Sequence, residues 1–137
     1  MSDLEKYLNR IKNLDAIISR KQDEYDMWFQ MAQGMGGGGY GERVQSSGSK
    51  QKMEYAVARY IDAEKEIVGL MKEKTDFIQK IAQLEFSECE ILFMIYIQGY
   101  TLKDVQKEKD KSYSWVTMKH RKAKDSLEGL VIKRGKD

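Results

Sequence analysis

Between Ser112 and Arg134 the chain concentrates side chains suited to a phosphate-lined duplex, and few that could break a bond. On a helical wheel Ser114, Met118, Arg121 and Asp125 share one side, flanked by Thr117 and Lys122. Arg121 brings a planar guanidinium fork, the group that pairs with the O6 and N7 edge of guanine. Lys119, Lys122, Lys124, Lys133 and Arg134 bring positive charge without strict directionality, which suits phosphate oxygens. Val116, His120, Ala123 and Leu127 recur on the opposite side at helix spacing, which predicts a packing face.

Catalytic chemistry finds little material. The chain has one histidine and one cysteine. His120 lies on the packing stripe, where a structural, hydrogen-bonding role is expected, and Cys89 sits in an apolar run as a small buried hydrophobe. Clusters of the CxxC or HExxH kind are absent, and acidic residues fall on solvated helix faces. No catalytic residue, metal or cofactor is expected, and the chain reads as a non-enzyme.

Charge follows the same division. Residues 1–85 hold 13 basic and 14 acidic residues, whereas residues 112–137 hold 7 against 3. The positive end thus coincides with the polar helix and its tail, as attraction to a phosphate backbone requires.

The elements that must position these residues are all helical. Proline is absent and 34% of residues are charged, a composition that favours long unbroken helices. Phe86 to Gly99 predicts a buried apolar helix, with Ser87 as its cap and Ile91, Leu92, Met94, Ile95 and Tyr96 inside. Thr101 caps a short helix that turns Leu102 and Val105 inward. Residues 108–111 form a turn, and Ser112 caps the polar helix. Three helices of this spacing form the pattern of a helix-turn-helix unit, whose last helix enters the major groove.

The first half predicts a long antiparallel helical hairpin. Leu4, Ile11, Ile18, Tyr25 and Ala32, with Tyr7, Leu14 and Trp28, make a heptad-type seam broken at Lys21. Asp3 is the expected cap of a helix of about 30 residues, roughly 45 Å long. Residues 34–49, GMGGGGYGERVQSSGS, are expected to stop it and to serve as a flexible connector. They lack the order of a phosphate-binding loop. A second helix is expected from Lys50 to Leu84, with Met53, Val57, Tyr60, Ile61, Ile67, Val68, Met71, Ile78 and Ile81 on its apolar stripe and Glu64 and Lys74 interrupting it. Two helices cannot cover both stripes, so a homo-oligomer is expected. The division is residues 1–85 for oligomerisation or partner binding and 86–137 for DNA. No run approaches the roughly 20 apolar residues of a membrane span, and the polar N-terminus has no signal-peptide core. A reducing, cytoplasmic setting fits the single cysteine.

The segment SECEILFMIYIQGYTLKDV, followed by Ser112, Val116, Ala123 and Leu127, resembles the sigma-factor region 4 type of helix-turn-helix. The whole chain is similar to the small RinA/ArpU-type phage regulators, including the segment Arg43-Val44-Gln45-Ser46-Ser47. Gln106 stands where such units commonly have alanine, and Lys119 where an apolar residue is frequent. The resemblance implies a cytoplasmic regulator in a bacterial host that binds duplex DNA and activates late or packaging genes of a phage or prophage. It also implies RNA polymerase as a second partner. The rival reading is a helical protein–protein adaptor that acts on polymerase or another phage protein without specific DNA binding.

Overall fold

The computed structural model describes residues 2–37 and 47–131, with side chains over 2–34 and 48–131. These residues are all-α. They form α1 (Asp3–Gly37), α2 (Ser47–Ile81), α3 (Phe86–Tyr96), α4 (Leu102–Lys109) and α5 (Tyr113–Val131), with no strand among them. No helix among the described residues is long and apolar enough to cross a membrane.

Contacts group the chain into two compact units that differ from a division at residue 85. One unit holds the residues up to Leu14 and from Glu73 onward; the other is Asp15–Lys72. The long helices α1 and α2 contribute a segment to each.

In the first unit, short helices surround a core of large apolar side chains. Phe77, Leu92, Val105, Val116 and Leu127 are all essentially inaccessible, joined by Leu4, Leu8, Ile11, Leu14, Ile81, Ile91, Met94 and Ile95. A chain of rings runs through it: Tyr7 to Phe77 at 6.1 Å, Phe77 to Tyr96 at 6.5 Å, and Tyr96 to His120 at 5.8 Å between centroids. At its edge Arg10 donates to both carboxylate oxygens of Glu73 at 3.1 and 2.9 Å.

The second unit is a pair of helical segments in antiparallel order. Residue numbers in α1 rise as those of their partners in α2 fall: Lys21 meets Glu66 at 2.7 Å, Glu24 meets Arg59 at 3.3 Å, and Trp28 meets Tyr55 edge to face at 5.4 Å. Its buried apolar residues are Ala32, Ala56, Ala63, Ile67 and Leu70. Tyr25, Phe29 and Tyr60 form a ring cluster with centroids 5.1–5.8 Å apart.

Several local expectations change. Ser2, not Asp3, caps α1: its hydroxyl accepts from the Glu5 N–H at 3.1 Å. Helix α1 runs through Gly34 to Gly37, since a glycine in an established helix costs only about 1 kcal/mol relative to alanine. Helix α2 starts at Ser47 and ends at Ile81. On α2, Ile61, Val68 and Met71 are exposed, while Ala56, Ala63, Leu70 and Phe77 take the inner seam. Ser87 does not cap α3: the helix begins ahead of it at Phe86, and the Ser87 hydroxyl donates to the Glu85 carboxylate at 2.6 Å. The expected flexible connector falls largely on residues 38–46, outside the described residues, as do Arg43 to Ser46 of the RVQSS segment.

Candidate nucleic-acid interface

Three stops and starts fix how α5 is presented. Helix α3 ends at Tyr96, and Gly99 takes a left-handed φ of 82°, which returns the Tyr100 N–H to the Met94 carbonyl at 2.9 Å. A side chain at that φ would be strained, so glycine is required. Thr101 then opens α4 with a reciprocal cap. Its hydroxyl accepts from the Asp104 N–H at 3.1 Å, and the Asp104 carboxylate accepts from the Thr101 N–H at 2.9 Å. These bonds, first those with Thr101 and then the nearby Lys107 charge, hold the Asp104 carboxyl below its ordinary range. Helix α4 continues to Lys109, so the turn is shorter than residues 108–111. It is made by Asp110 in the left-handed region at φ 54°, with its N–H directed to the Gln106 and Lys107 carbonyls. Ser112 caps α5, its hydroxyl accepting from the Trp115 N–H at 3.0 Å.

Packing then sets the rotation of α5. Val116, Ala123 and Leu127 are fully buried, as the wheel requires. His120 lies on the same side, half-buried, with Nε2 2.8 Å from the Tyr96 hydroxyl. Burial, with the charges of Lys124 and Lys12, lowers the imidazole pKa to about 4. Burial chiefly, with Glu5, pushes the Tyr96 phenol up to about 12. At neutral pH both groups are uncharged, and the one hydrogen bond between them takes its direction from the imidazole tautomer. His120 is thereby a structural joint between α3 and α5.

The opposite side of α5 carries the expected recognition residues. Ser114, Met118, Arg121, Lys122 and Asp125 are exposed, and Thr117 and Lys124 are half-exposed. The Thr117 hydroxyl donates to the Ser114 carbonyl at 3.0 Å and keeps its oxygen lone pairs for other donors. Lys119 is not with this set. Its side chain retains 16% exposure, with Nζ 3.9 Å from the Glu85 carboxylate and 5.6 Å from the Trp115 ring centroid. The aliphatic stem thus fills a position otherwise suited to an apolar residue, and its charge is directed toward Glu85. Lys133 and Arg134 lie outside the described residues.

A second basic set escapes a reading based on α5 alone. Lys103, Lys107 and Lys111 are exposed and line one shallow groove with Thr101, Asp104, Gln106 and Asp110. Lys111 Nζ lies 5.3 Å from the Trp115 ring centroid, a cation–π contact that carries this charge to the first turn of α5. The signal was present as Lys103 and Lys107 four residues apart, on the side of α4 away from Val105. Lys109, by contrast, is paired with Glu90 at 2.8 Å. Cys89 is half-buried, and burial, with the Glu90 charge, raises its pKa, so the sulfur is a neutral thiol.

Comparison with protein-family models finds no match, and comparisons with curated proteins and with solved structures find none either.

Proposed function

We propose that the chain is a DNA-binding transcriptional regulator of the RinA/ArpU phage type, acting as a homo-oligomer of helical hairpins that carry sigma region 4-like helix-turn-helix units. In this reading α4 and α5 are the paired helices, and α5 is inserted in the major groove. Arg121 contacts a base edge, Ser114, Thr117 and Met118 border it, and Lys122 and Lys124 contact phosphate, with the tail residues Lys133 and Arg134 beyond. Lys103, Lys107 and Lys111 extend the phosphate-binding surface across α4. Its target is a promoter of late or packaging genes, where it activates transcription in the cytoplasm of the bacterial host.

The observation that carries this reading is the rotation of α5. Val116, Ala123 and Leu127 are all taken up by packing, which leaves Ser114, Met118, Arg121 and Lys122 together in solvent. Fluorescence anisotropy with labelled duplexes tests it over a salt series. Binding should weaken linearly in log salt, and Lys103→Ala with Lys107→Ala should flatten that slope by about two phosphate contacts. Absence of duplex binding at low salt would end the proposal.

The adaptor reading draws on a different feature. Phe86 is 75% exposed at the start of α3, an apolar contact point that DNA recognition does not use. It predicts polymerase capture that Phe86→Ala abolishes and that no duplex competes away.

A further inference from the structure

The solvent face of α5 is not uniformly polar. Of Ser114, Met118, Arg121 and Asp125, which share its outward side, only Met118 is apolar, and it is 52% exposed. It takes no part in the core, which Val116, Ala123 and Leu127 fill from the opposite side. Met118 stands four residues after Ser114 and three before Arg121, so the three are neighbours on one surface. Asp125, a further turn on, brings a negative charge that a phosphate-lined groove disfavours. The part of the face suited to DNA therefore runs from Ser114 to Lys122, and Met118 stands at its centre.

Chemistry limits what such a side chain can meet in the major groove. Its thioether has no donor and is a weak acceptor. Set against the polar edge of guanine, cytosine or adenine, it would strip water from a donor or acceptor and return no hydrogen bond. The one methyl group on that edge is the C5-methyl of thymine. We infer that Met118 reads a thymine through this methyl, beside the guanine contacted by Arg121. Three residues of helix rise are about 4.5 Å, and stacked base pairs are about 3.4 Å apart, so the thymine lies within about two base pairs of the guanine. The inference rests on the proposed insertion of α5 in the major groove and adds a second base to what is read there.

Titration of the full chain tests it, with a duplex selected from a random pool by the wild type. Each thymine is replaced in turn by deoxyuridine, which removes the methyl and keeps every hydrogen-bonding group. At one thymine, close to the base pair whose preference Arg121→Ala relaxes, the wild type should bind about fourfold more weakly, the equivalent of one buried methyl. Met118→Ala should bind the thymine and deoxyuridine duplexes equally. Met118→Leu, which keeps an apolar tip, should retain the difference. Arg121→Ala should retain it too, since the two side chains contact different bases. Thermal melting by circular dichroism verifies that each variant keeps the wild-type fold. A wild type indifferent to every deoxyuridine substitution overturns the inference while leaving base reading by Arg121 intact. Weaker binding of Met118→Ala to all duplexes alike, with the thymine difference preserved, also overturns it. Failure of the wild type to bind any duplex removes both this inference and the reading on which it rests.

Discussion

The α3–α5 region and the long-helix segment Asp15–Lys72 bury apolar surface in different ways. Around α3 the core is made of large side chains, with Phe77, Leu92, Val105, Val116 and Leu127 all sealed from solvent. In Asp15–Lys72 the sealed residues are chiefly alanines, while Met27, Phe29, Met31, Tyr55, Ile61, Val68 and Met71 stay exposed. A complete core can devote one side of a helix to polar residues, as α5 does. Two helices have only one shared seam, so the remaining apolar surface is available to a partner. The difference separates a region with a closed core from one that leaves large apolar side chains in solvent.

The largest test of this comparison is a deletion in the complete core. Phe77→Ala should cost about 3–5 kcal/mol in urea unfolding, because a fully enclosed ring leaves a cavity that packed neighbours cannot fill. Val68→Ala, measured at concentrations where the chain is monomeric, should change stability by less than about 0.5 kcal/mol. Equal costs at the two positions would remove the distinction.

Next in size is the cap that starts α4. Thr101→Ala removes an acceptor for the Asp104 N–H and should cost about 1 kcal/mol. Amide exchange should quicken at the start of α4 while the protection of α1 and α2 is unchanged.

A pH effect reports the joint behind α5. The His120 pKa is lowered to about 4, against an ordinary 6.5, by burial and then by Lys124 and Lys12. Between those values the unfolded chain takes up a proton that the folded chain does not. The stability contribution is therefore whole above 6.5 and is lost as pH falls toward 4. Melting temperature should fall over this window, and His120→Gln should flatten the fall. The Tyr96 phenol gives the opposite edge. With its pKa raised from 10.0 to about 12, stability should decline as pH rises through that range. A melting temperature constant between pH 4 and 6.5 in the wild type would contradict the buried, neutral imidazole.

The smallest effect belongs to the rim. Arg10 and Glu73 form a two-toothed pair, yet both side chains are more than 40% exposed. Arg10→Ala should cost under about 1 kcal/mol and less in high salt.

The faces of α5 were legible in the sequence because Val116, Ala123 and Leu127 repeat at helix spacing with no competing stripe. The all-helical class followed from the absence of proline and the run of caps. The seam of α2 was not legible in the same way. Its outer face carries Ile61 and Val68, which are more apolar than Ala56 and Ala63, so hydrophobicity at these positions favours the wrong side. Trp28 and Tyr25 of α1 meet Tyr55 and Tyr60 of α2. Lys119 misled for a related reason: its charge suggested phosphate, whereas its stem is packed beside Trp115. Lys103 and Lys107 lie ahead of the charge excess that begins at Ser112 and are offset by Asp104, Glu108 and Asp110. Their position opposite Val105 on α4 is a pattern of one helix face, not of net charge.

The central claim is that the solvent face of α5 reads a base sequence through Arg121. A duplex is selected from a random pool by the wild-type chain, then titrated beside a scrambled duplex with wild type and Arg121→Ala at several salt concentrations. The variant should lose about 1–3 kcal/mol on the selected duplex, relax its preference at one base pair, and bind the scrambled duplex almost as the wild type does. Unchanged affinity and unchanged preference in Arg121→Ala would contradict the account of α5 and favour the adaptor.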